Sequence, residues 1–287
     1  QKIIFAYTSF KWANLASHNA GVTVAIIGLG SINIKESILY SINNQSEVQA
    51  RKVNNINAYL IAEKNIFINA ISKPIDERAL MKFGNHFYYA KDLLMKRNES
   101  ATMIQDDRSV EKYIRKFYGS KEVTSGLSRS CIWITDDQLS DAQKIKAFKI
   151  RMSKVAEARK KAKNDKAAHA LAESPHRFRD QFTAKTHLLA MPAISSENRS
   201  YLPIELLDSN CIVGHKSYAL YDAQIWNFSI IASRLHLVWI STVCGKMRSD
   251  FSYSNTLGWN TFPLPKLTIK NKLDMETASE EILIARE

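Results

Sequence analysis

Cysteine is scarce in this chain of 287 residues, which contains only Cys131, Cys211 and Cys244. No two of them have the spacing of metal ligands, and the seven histidines form no cluster with them. Each cysteine has apolar neighbours, which predicts buried free thiols and a reducing, cytoplasmic location. The sequence therefore predicts no metal site.

Long apolar runs are also missing. The longest, from Val22 to Leu29, is too short to span a bilayer, and no secretory signal opens the chain. Two strands, Lys2–Tyr7 and Gly21–Gly28, are predicted at the start, the second with the continuous apolar pattern of a strand buried on both faces. Their usual sheet partners are absent, and the chain ends in an uncapped acidic helix, so we expect a fragment of a longer protein.

Catalytic motifs are lacking as well. Gly28-Leu-Gly30 has neither the later glycine nor the helix of a dinucleotide-binding turn. No Gly-x-Ser-x-Gly elbow occurs. The acidic pairs Asp106-Asp107 and Asp136-Asp137 lack the lysine of a nuclease pattern and are better explained as turns or helix caps. The sequence predicts no self-sufficient active site and no catalytic residue.

Positive charge, by contrast, is abundant. Forty Lys and Arg residues against 28 acids give a net charge of +12 and a pI near 9.5. This excess favours a polyanionic partner, with an inert basic surface as the alternative. An RNA-binding module is a further possibility, but the aromatic stacking platform of such modules is not recognisable.

A basic helix is predicted from about Ser140 to Ala172. Ile145, Phe148, Met152 and Val155 recur at helical spacing and form one apolar stripe. The basic residues on its other faces are Lys144, Lys146, Lys149, Arg151, Lys154, Arg159, Lys160, Lys161, Lys163 and Lys166. A solvated face and a phosphate-binding face explain this pattern equally well. A separate helix is predicted to start at Pro74, which acids follow.

The most informative stretch follows a second predicted helix, from about Ala223 to Cys244. The apolar face of that helix should carry Ile225, Phe228, Ile231, Leu235, Val238 and Thr242. Gly245 is expected to end it. The alternation of Phe251, Tyr253, Asn255 and Leu257 then predicts an extended segment, which Pro263 and Pro265 stop.

Residues in this stretch have the chemistry for reading DNA. Arginine can donate two hydrogen bonds to guanine, and aspartate can accept one from the amine of cytosine. Arg248 and Asp250, two apart in an extended loop, would point the same way, although from spacing alone a surface ion pair is the simpler explanation. Candidate contacts to the DNA backbone or from the loop are Lys246, Ser249, Tyr253, Asn255, Arg234, Lys216 and Arg199.

Four groups of motifs follow one another along the chain. They are Phe10-Lys-Trp12-Ala-Asn14 with Ala20-Gly-Val22 and Ile26-Ile-Gly28; Ile114-Arg-Lys-Phe-Tyr-Gly-Ser120 with Arg129-x-Cys131-Ile-Trp133-Ile; Met191-Pro192 with Ser196-Glu197-x-Arg199-x-Tyr201-Leu-Pro203; and Ser233-Arg-Leu-His236-x-x-Trp239 through Gly245, Ser249-Asp250 and Tyr253-Ser254 to Asn260-Thr-Phe-Pro-x-Pro265. In this order they resemble the motifs of the MmeI-like DNA adenine methyltransferases, a family of single-chain restriction-modification enzymes. The resemblance covers the end of the methyltransferase domain and the target recognition domain.

The resemblance implies an α+β fold: a mixed-sheet target recognition domain with long helices, plus two strands of an α/β methyltransferase sheet. It implies methyl transfer from S-adenosylmethionine to N6 of a flipped adenine in double-stranded DNA. It also implies that Arg248 and Asp250 read a base pair and that Phe10, or less favourably Trp12, stacks on the flipped base. The rest of the methyltransferase chain would be a partner.

This chain departs from the family in three respects. The cofactor-binding glycine motif and the catalytic Asn-Pro-Pro-Tyr are absent, no nuclease motif occurs, and Phe-Pro-Leu-Pro replaces the usual Phe-Pro-Trp-Pro. We therefore expect this chain to bind DNA without catalysis, with S-adenosylmethionine bound elsewhere in the parent enzyme.

The expected division is a methyltransferase remnant at 1–30, a target recognition domain at 31–268 and the start of a helical spacer at 269–287. The alternative is a protein like a specificity subunit, which recognises DNA and recruits a separate methyltransferase. Such a subunit would show a second recognition domain after the terminal helix, whereas the strands before Gly30 favour a single chain.

Overall fold

The structure, a computed structural model, describes residues 1–12, 22–43 and 45–286. The strands are β1 (Lys2–Lys11), β2 (Thr23–Gly30), β3 (Ser37–Ile42), β4 (Val48–Val53), β5 (Lys82–Phe83), β6 (Leu94–Met95), β7 (Ile114–Tyr118), β8 (Arg129–Ile132), β9 (His187–Pro192), β10 (Ile194–Ser195), β11 (Glu205–Asp208), β12 (Cys211–Val213), β13 (Ser217–Tyr221), β14 (Gly245–Met247) and β15 (Asp250–Ser252). The α-helices are α1 (Arg97–Asp106), α2 (Ser120–Ser125), α3 (Leu139–Ala142), α4 (Lys146–Lys160), α5 (Lys166–Leu171), α6 (Trp226–Ala232), α7 (Arg234–Val243) and α8 (Ile269–Ile284). Helical turns of other types occur at Lys91–Leu93, Arg108–Tyr113, Asp136–Gln138 and Asn255–Trp259.

These elements form two compact units. The first comprises residues 1–75, 195–199 and 238–263, and the second comprises residues 76–194, 200–237 and 264–287. The chain therefore passes between the units several times, and residues far apart in sequence meet within each of them. The mixture of helices with parallel and antiparallel strands confirms the predicted α+β class.

The first unit contains a sheet with the strand order β2-β1-β3-β4. β1 and β2 are antiparallel, and β3 lies parallel to β1. The two predicted strands are confirmed, and β3 and β4 extend the sheet past residue 30, although the domain boundary placed there stays a prediction. The rings of Tyr7 and Tyr40 stack across the sheet with their centroids 4.4 Å apart.

The apolar run in β2 does not form a core within this chain. Ile26, Ile27 and Leu29 are 42%, 49% and 62% exposed, although the continuous apolar pattern predicted burial on both faces. The glycines of this strand are required for packing, because a Cβ atom at Gly28 would lie 2.1 Å from the ring of Phe5. They are not the turn glycines of a cofactor site.

The second unit contains two sheets, with the strand orders β11-β9-β13-β5 and β12-β7-β8-β6. Its larger apolar core joins residues of β7 and β8 to α4, and the ring of Phe178 packs edge-on against that of Trp133 at 5.5 Å. Each fully buried side chain of this size contributes roughly 1.5–3 kcal/mol. This core explains why the stripe of Phe148, Met152 and Val155 is buried as predicted.

The single basic helix predicted from Ser140 to Ala172 is wrong in its bounds, because the chain breaks into α3, α4 and α5. Ile145 is extended immediately before α4. Asn164 has a φ of 56° and Asp165 caps α5, its side chain accepting a hydrogen bond of 2.9 Å from the amide of Ala168. Local capping therefore overrides the continuous helical pattern.

Two arginines of α4 turn inward instead of facing solvent. Arg159 is fully buried, and its guanidinium donates hydrogen bonds of 2.8–2.9 Å to the carbonyl oxygens of Leu171, Ser174 and Arg177. Burial lowers its pKa to about 10. Arg151 donates to the carbonyl oxygen of Asp92 at 2.6 Å. The solvated basic face of α4 is thus made of lysines alone.

The second predicted helix, from Ala223 to Cys244, is interrupted at Ser233. This residue is extended, and its hydroxyl oxygen accepts a hydrogen bond of 3.0 Å from the amide of His236 in the first turn of α7. Because of this break, the residues of α7 do not continue the apolar face of α6. Leu235 and Val238 are therefore 69% and 56% exposed instead of buried, while His236 and Ile240 are fully buried.

Several smaller predictions have clear outcomes. Asp107 caps a helical turn, accepting a hydrogen bond of 2.9 Å from the amide of Ser109, as expected of a cap. Asp136 and Asp137 lie in the helical turn Asp136–Gln138, as predicted, and the Asp136 carboxylate lies 2.7 Å from His176 Nε2 and 2.8 Å from Arg177. No helix begins at Pro74. The three cysteines are free and buried.

Within the described residues, no helix combines the length and apolar character needed to cross a bilayer. Over the same residues, no group of three or more His, Cys, Asp or Glu side chains is arranged to hold a metal ion.

Candidate nucleic-acid interface

A tight hairpin in the first unit carries the residues predicted to read bases. β14 and β15 pair with Met247 opposite Asp250, so the loop consists of Arg248 and Ser249 alone. Arg248 has a φ of 60°, whereas Ser249 does not have a positive φ. A positive φ at only the first loop residue is typical of a type II′ turn, whose twist matches that of paired strands. The predicted extended loop is therefore wrong: Arg248 lies at the turn and Asp250 begins the returning strand.

Pairing sorts the hairpin side chains onto two faces. Lys246 lies opposite Phe251, with its Nζ atom 5.7 Å from the ring centre, whereas Met247 and Asp250 share the other face. Lys246, Met247 and Arg248 are exposed, and Asp250 is half-buried. In the described part of the chain the Arg248 side chain forms no hydrogen bond or ion pair, so its guanidinium is available to a ligand.

The segment that follows the hairpin in sequence is packed inside the first unit. Tyr253 is only 5% exposed, and a Cβ atom at Gly258 would lie 3.3 Å from its ring and 3.0 Å from Cys244 Sγ. Tyr253 therefore packs inside the unit instead of facing solvent. The predicted extension through Leu257 is wrong, because Ser254 caps a π-helix (Asn255–Trp259) in which Asn255 is half-buried.

A second segment lies beside the hairpin through strand pairing. β10 pairs with β15. β10 is followed by a turn, in which the amide of Arg199 donates a hydrogen bond of 3.2 Å to the carbonyl oxygen of Ser196. Glu197 lies in this turn with its side chain 20% exposed, and its Oε1 atom is 2.8 Å from Lys11 Nζ at the end of β1. Arg199 is exposed in the same turn.

The charges around this ion pair reinforce one another. The hydrogen bond and charge of Lys11 lower the pKa of Glu197 below its usual range, and the nearby Lys246 and Ser249 act in the same direction. The pKa of Lys11 is raised mainly by Glu197, and the negative charge of Asp250 adds to that effect. The ion pair therefore joins the end of β1 to the turn after β10, and the charges of Lys246 and Asp250 act on its two members.

The two candidates for base stacking lie at the same end of β1. Phe10 is half-buried opposite Val24 in β2, and its ring packs edge-on against Tyr7 at 6.4 Å. Trp12 follows the strand, is 50% exposed, and its amide donates a hydrogen bond of 2.8 Å to the carbonyl oxygen of Val22. The rest of the predicted loop, residues 13–21, lies outside the described residues.

The remaining candidates belong to the second unit. Arg234 is exposed at the first position of α7, and Lys216 is exposed beside a cleft of about 740 Å³. Lys91, Lys121 and Arg129 also line this cleft. Arg129 Nε lies 2.8 Å from the mostly buried Glu122 carboxylate. In the described residues the ammonium groups of the three lysines have no ion-pair partner, so the cleft carries uncompensated positive charge.

Sequence reasoning named Lys216 as a candidate backbone contact but assigned no role to Lys11, Glu197, Lys91 or Lys121. Glu197 belongs to a recognised motif, but its partner lies 186 positions away in sequence. The cleft residues come from separate strands, helices and turns, so no spacing pattern could have indicated them.

Comparison with known proteins identifies the class to which this architecture belongs. The profile of the MmeI target recognition domain matches residues 62–266, and that of the MmeI DNA-methyltransferase domain matches residues 1–41. Both describe parts of a DNA methyltransferase.

The chain belongs to the MmeI family and contains the target recognition domain of an MmeI-like DNA methyltransferase, which confirms the resemblance seen in the sequence. It is 34% identical over 286 residues to DNA methyltransferase A of Bacillus subtilis (strain 168), matching all of this chain and 32% of that protein. It also resembles the solved structure of the Type IIL restriction-modification enzyme MmeI in complex with DNA, with a TM-score of 0.88 and 32% identity over 99% of this chain and 38% of the other. The chain thus spans about a third of the length of these relatives.

Proposed function

We propose that this chain is the sequence-recognition portion of a site-specific adenine DNA methyltransferase of the restriction-modification type. The observation that carries the proposal is the exposed hairpin loop, where the Arg248 guanidinium has no partner among the described residues and the Asp250 carboxylate stands two residues away. A guanine–cytosine pair offers in the major groove two acceptors for the arginine and a donor for the aspartate. The similarity to a structure of MmeI in complex with DNA supports double-stranded DNA as the partner.

Backbone contacts would supply most of the affinity. The cleft of the second unit presents Lys91, Lys121 and Lys216 around a largely apolar floor, and we assign it to phosphate groups of the duplex. Lys246 and Arg199 in the first unit and Arg234 in the second are exposed and can bind phosphates in the same way. Ser249 and Asn255 remain candidate loop contacts. Such contacts fix the position of a protein on the duplex but do not select a sequence.

Methyl transfer itself would use residues outside this chain. S-adenosylmethionine, which the family implies, would supply the methyl group for adenine N6 in the parent enzyme. The glycines of the β1–β4 sheet do not fit a cofactor turn, because Gly28 packs against Phe5 and Gly30 against Ile4. We assign no step of methyl transfer to this chain, which would contribute Phe10 or Trp12 as a stacking surface for the flipped adenine.

The match of residues 1–41 to a methyltransferase domain supports one polypeptide that both recognises and modifies DNA. This observation disfavours a specificity subunit that recruits a separate enzyme. A bacterial-type modification enzyme of this kind would work in the cytoplasm.

A gel-shift series with this chain tests the proposal. The logarithm of the affinity for duplex DNA should fall linearly with the logarithm of the salt concentration, because cations are released from each neutralised phosphate. Replacing Lys121 and Lys216 together by alanine should reduce the slope by about 0.9 for each phosphate group that these lysines neutralise.

Lys154 and Lys160, exposed on α4, provide the matched control. Their double alanine variant removes the same charge from the chain, so it isolates the effect of position. An unchanged slope in the cleft variant would contradict the assignment of the cleft, and binding to no duplex at any salt concentration would contradict the proposed function.

A further inference from the structure

One face of the β14–β15 hairpin carries an exposed apolar side chain next to the charged candidates. Met247 is 58% exposed, and its partner across the two strands is Asp250. The opposite face carries Phe251, which is only 8% exposed and therefore packs into the first unit. Met247 and Asp250 thus lie on the face that is turned away from the unit, and Arg248 follows Met247 in the turn.

The hairpin has dimensions that suit the major groove of DNA, which admits a two-stranded β-ribbon. Residues directly opposite each other on one face of such a ribbon have Cβ atoms about 4.5–5.5 Å apart. Successive bases along one DNA strand are about 3.4 Å apart along the helix axis. When Asp250 contacts one base pair, the side chain of Met247 is therefore within reach of the neighbouring pair.

The chemistry of methionine restricts what it can contact there. Its thioether sulfur is a weak acceptor, and the side chain has no hydrogen-bond donor. A polar base edge covered by it would lose hydrogen bonds to water without gaining a partner, which is unfavourable. Thymine alone presents an apolar group in the major groove, its C5-methyl group. An exposed methionine on this face of the hairpin therefore favours thymine.

We infer that Met247 is a further specificity-determining residue, whose side chain packs against the C5-methyl group of a thymine next to the base pair that Arg248 and Asp250 read. This inference rests on the proposed function, because it requires the hairpin to lie in the major groove. Arg248 and Asp250 select one base pair by hydrogen bonds, and Met247 selects its neighbour by an apolar contact. The recognised site therefore contains a thymine beside that pair.

Competition binding by the methyltransferase that carries this chain provides the test. Each thymine of its recognised duplex is replaced in turn by deoxyuridine, which lacks only the C5-methyl group. Replacement of the thymine beside the position that Arg248→Ala relaxes should weaken binding about fourfold, the effect of leaving one methyl group unburied. Met247→Ser should bind the two duplexes equally, whereas Met247→Leu, which keeps an apolar side chain, should retain most of the difference.

The matched control is Val48→Ser, which removes another apolar side chain of the first unit that is 56% exposed. This variant should keep the full difference between the thymine and deoxyuridine duplexes. The measured quantity is a ratio of two affinities of one protein, so partial loss of folding does not imitate the effect.

Arg248→Ala separates the inference from the proposed function. If this variant relaxes one position and no thymine lies beside it, or if deoxyuridine there leaves binding unchanged, Met247 does not read thymine and the reading role of Arg248 stands. Equal sensitivity of Met247→Ser and the unaltered enzyme to deoxyuridine likewise overturns the inference. If Arg248→Ala relaxes no position, the hairpin does not read DNA and both proposals are wrong.

Discussion

The side-chain amide of Asn260 donates a hydrogen bond of 2.7 Å to the main-chain carbonyl oxygen of Ile71. The main-chain carbonyl oxygen of Asn260 accepts a hydrogen bond of 3.0 Å from the main-chain amide of Ile75. Asn260 is fully buried and directly follows the π-helix Asn255–Trp259, which comes after the β14–β15 hairpin in sequence. Asn260 belongs to one of the sequence motifs, and its two hydrogen bonds connect residues 71–75 to the end of the π-helix. Its role is therefore structural.

Asn260→Ala should lower the free energy of unfolding by about 1–3 kcal/mol, because it leaves the partly buried carbonyl of Ile71 without its donor. Urea titration of this chain measures the change. Asn198→Ala, at an exposed asparagine of the same unit, should change stability by no more than about 0.5 kcal/mol. Equal destabilisation of the two variants would contradict the structural role of Asn260.

Arg159 should be the most sensitive basic residue of α4. Arg159→Met removes the donor to three buried carbonyl groups and should cost about 3 kcal/mol or more of unfolding free energy. Its neighbour Lys160 is exposed, and Lys160→Met should be nearly neutral. Chemical denaturation of both variants measures the difference. A tolerated Arg159→Met would mean that these hydrogen bonds do not hold the segment after α4.

Acid should destabilise the chain through His215. Burial and the nearby His86, Lys216 and Arg179 lower the pKa of His215 to about 4, with Asp180 opposing. The same imidazole has a pKa near 6.5 in the unfolded chain, which therefore binds more protons between these values. Above pH 6.5 the titration of His215 does not reduce the free energy of unfolding. As the pH falls from 6.5 towards 4, protonation of His215 in the unfolded chain lowers that free energy progressively.

Urea titrations across this pH range check the sign. His215→Gln should show a shallower decline than the unchanged chain, whereas His169→Gln, at an exposed histidine, should retain the original decline. A decline of the same steepness in His215→Gln would exclude His215 as its source.

The effect of the Arg248 turn conformation on stability can be measured apart from the effect of its guanidinium on DNA recognition. Because its φ is 60°, glycine can occupy the position without the strain that a side chain suffers there. Arg248→Gly should therefore be more stable than Arg248→Ala by up to about 1 kcal/mol, although both lack the guanidinium. Thermal unfolding measures the difference, and a less stable glycine variant would contradict the turn geometry.

The sequence predicts much of this architecture where a local pattern decides it. The strand predicted at Lys2–Tyr7, which forms the first part of β1, and the buried stripe of α4 follow directly from local sequence patterns. Prediction fails where one side chain redirects the backbone. Ser233 accepts a hydrogen bond from the amide of His236, and this single cap turns one predicted helix into two and exposes Leu235.

The candidate site shows the same division. Arg248 and Asp250 can be selected by residue type and by motif, but the hairpin between them lacks the glycine or asparagine that normally signals a two-residue turn. Lys11 and Glu197 lie 186 positions apart in sequence and come together only in the folded unit, so no local pattern indicates their ion pair. Residue type and motif thus select the candidate residues Arg248 and Asp250, whereas the residues around them are brought together only by tertiary structure.

The most direct test of the central claim is methylome sequencing of Arg248→Ala in the methyltransferase that carries this chain. We predict that the methylated site relaxes at one position, because removal of a two-donor contact to guanine takes away about 1–3 kcal/mol of discrimination. Every other position should keep its base. A methylated site identical to that of the unaltered enzyme would contradict the assignment of the hairpin as the reading element.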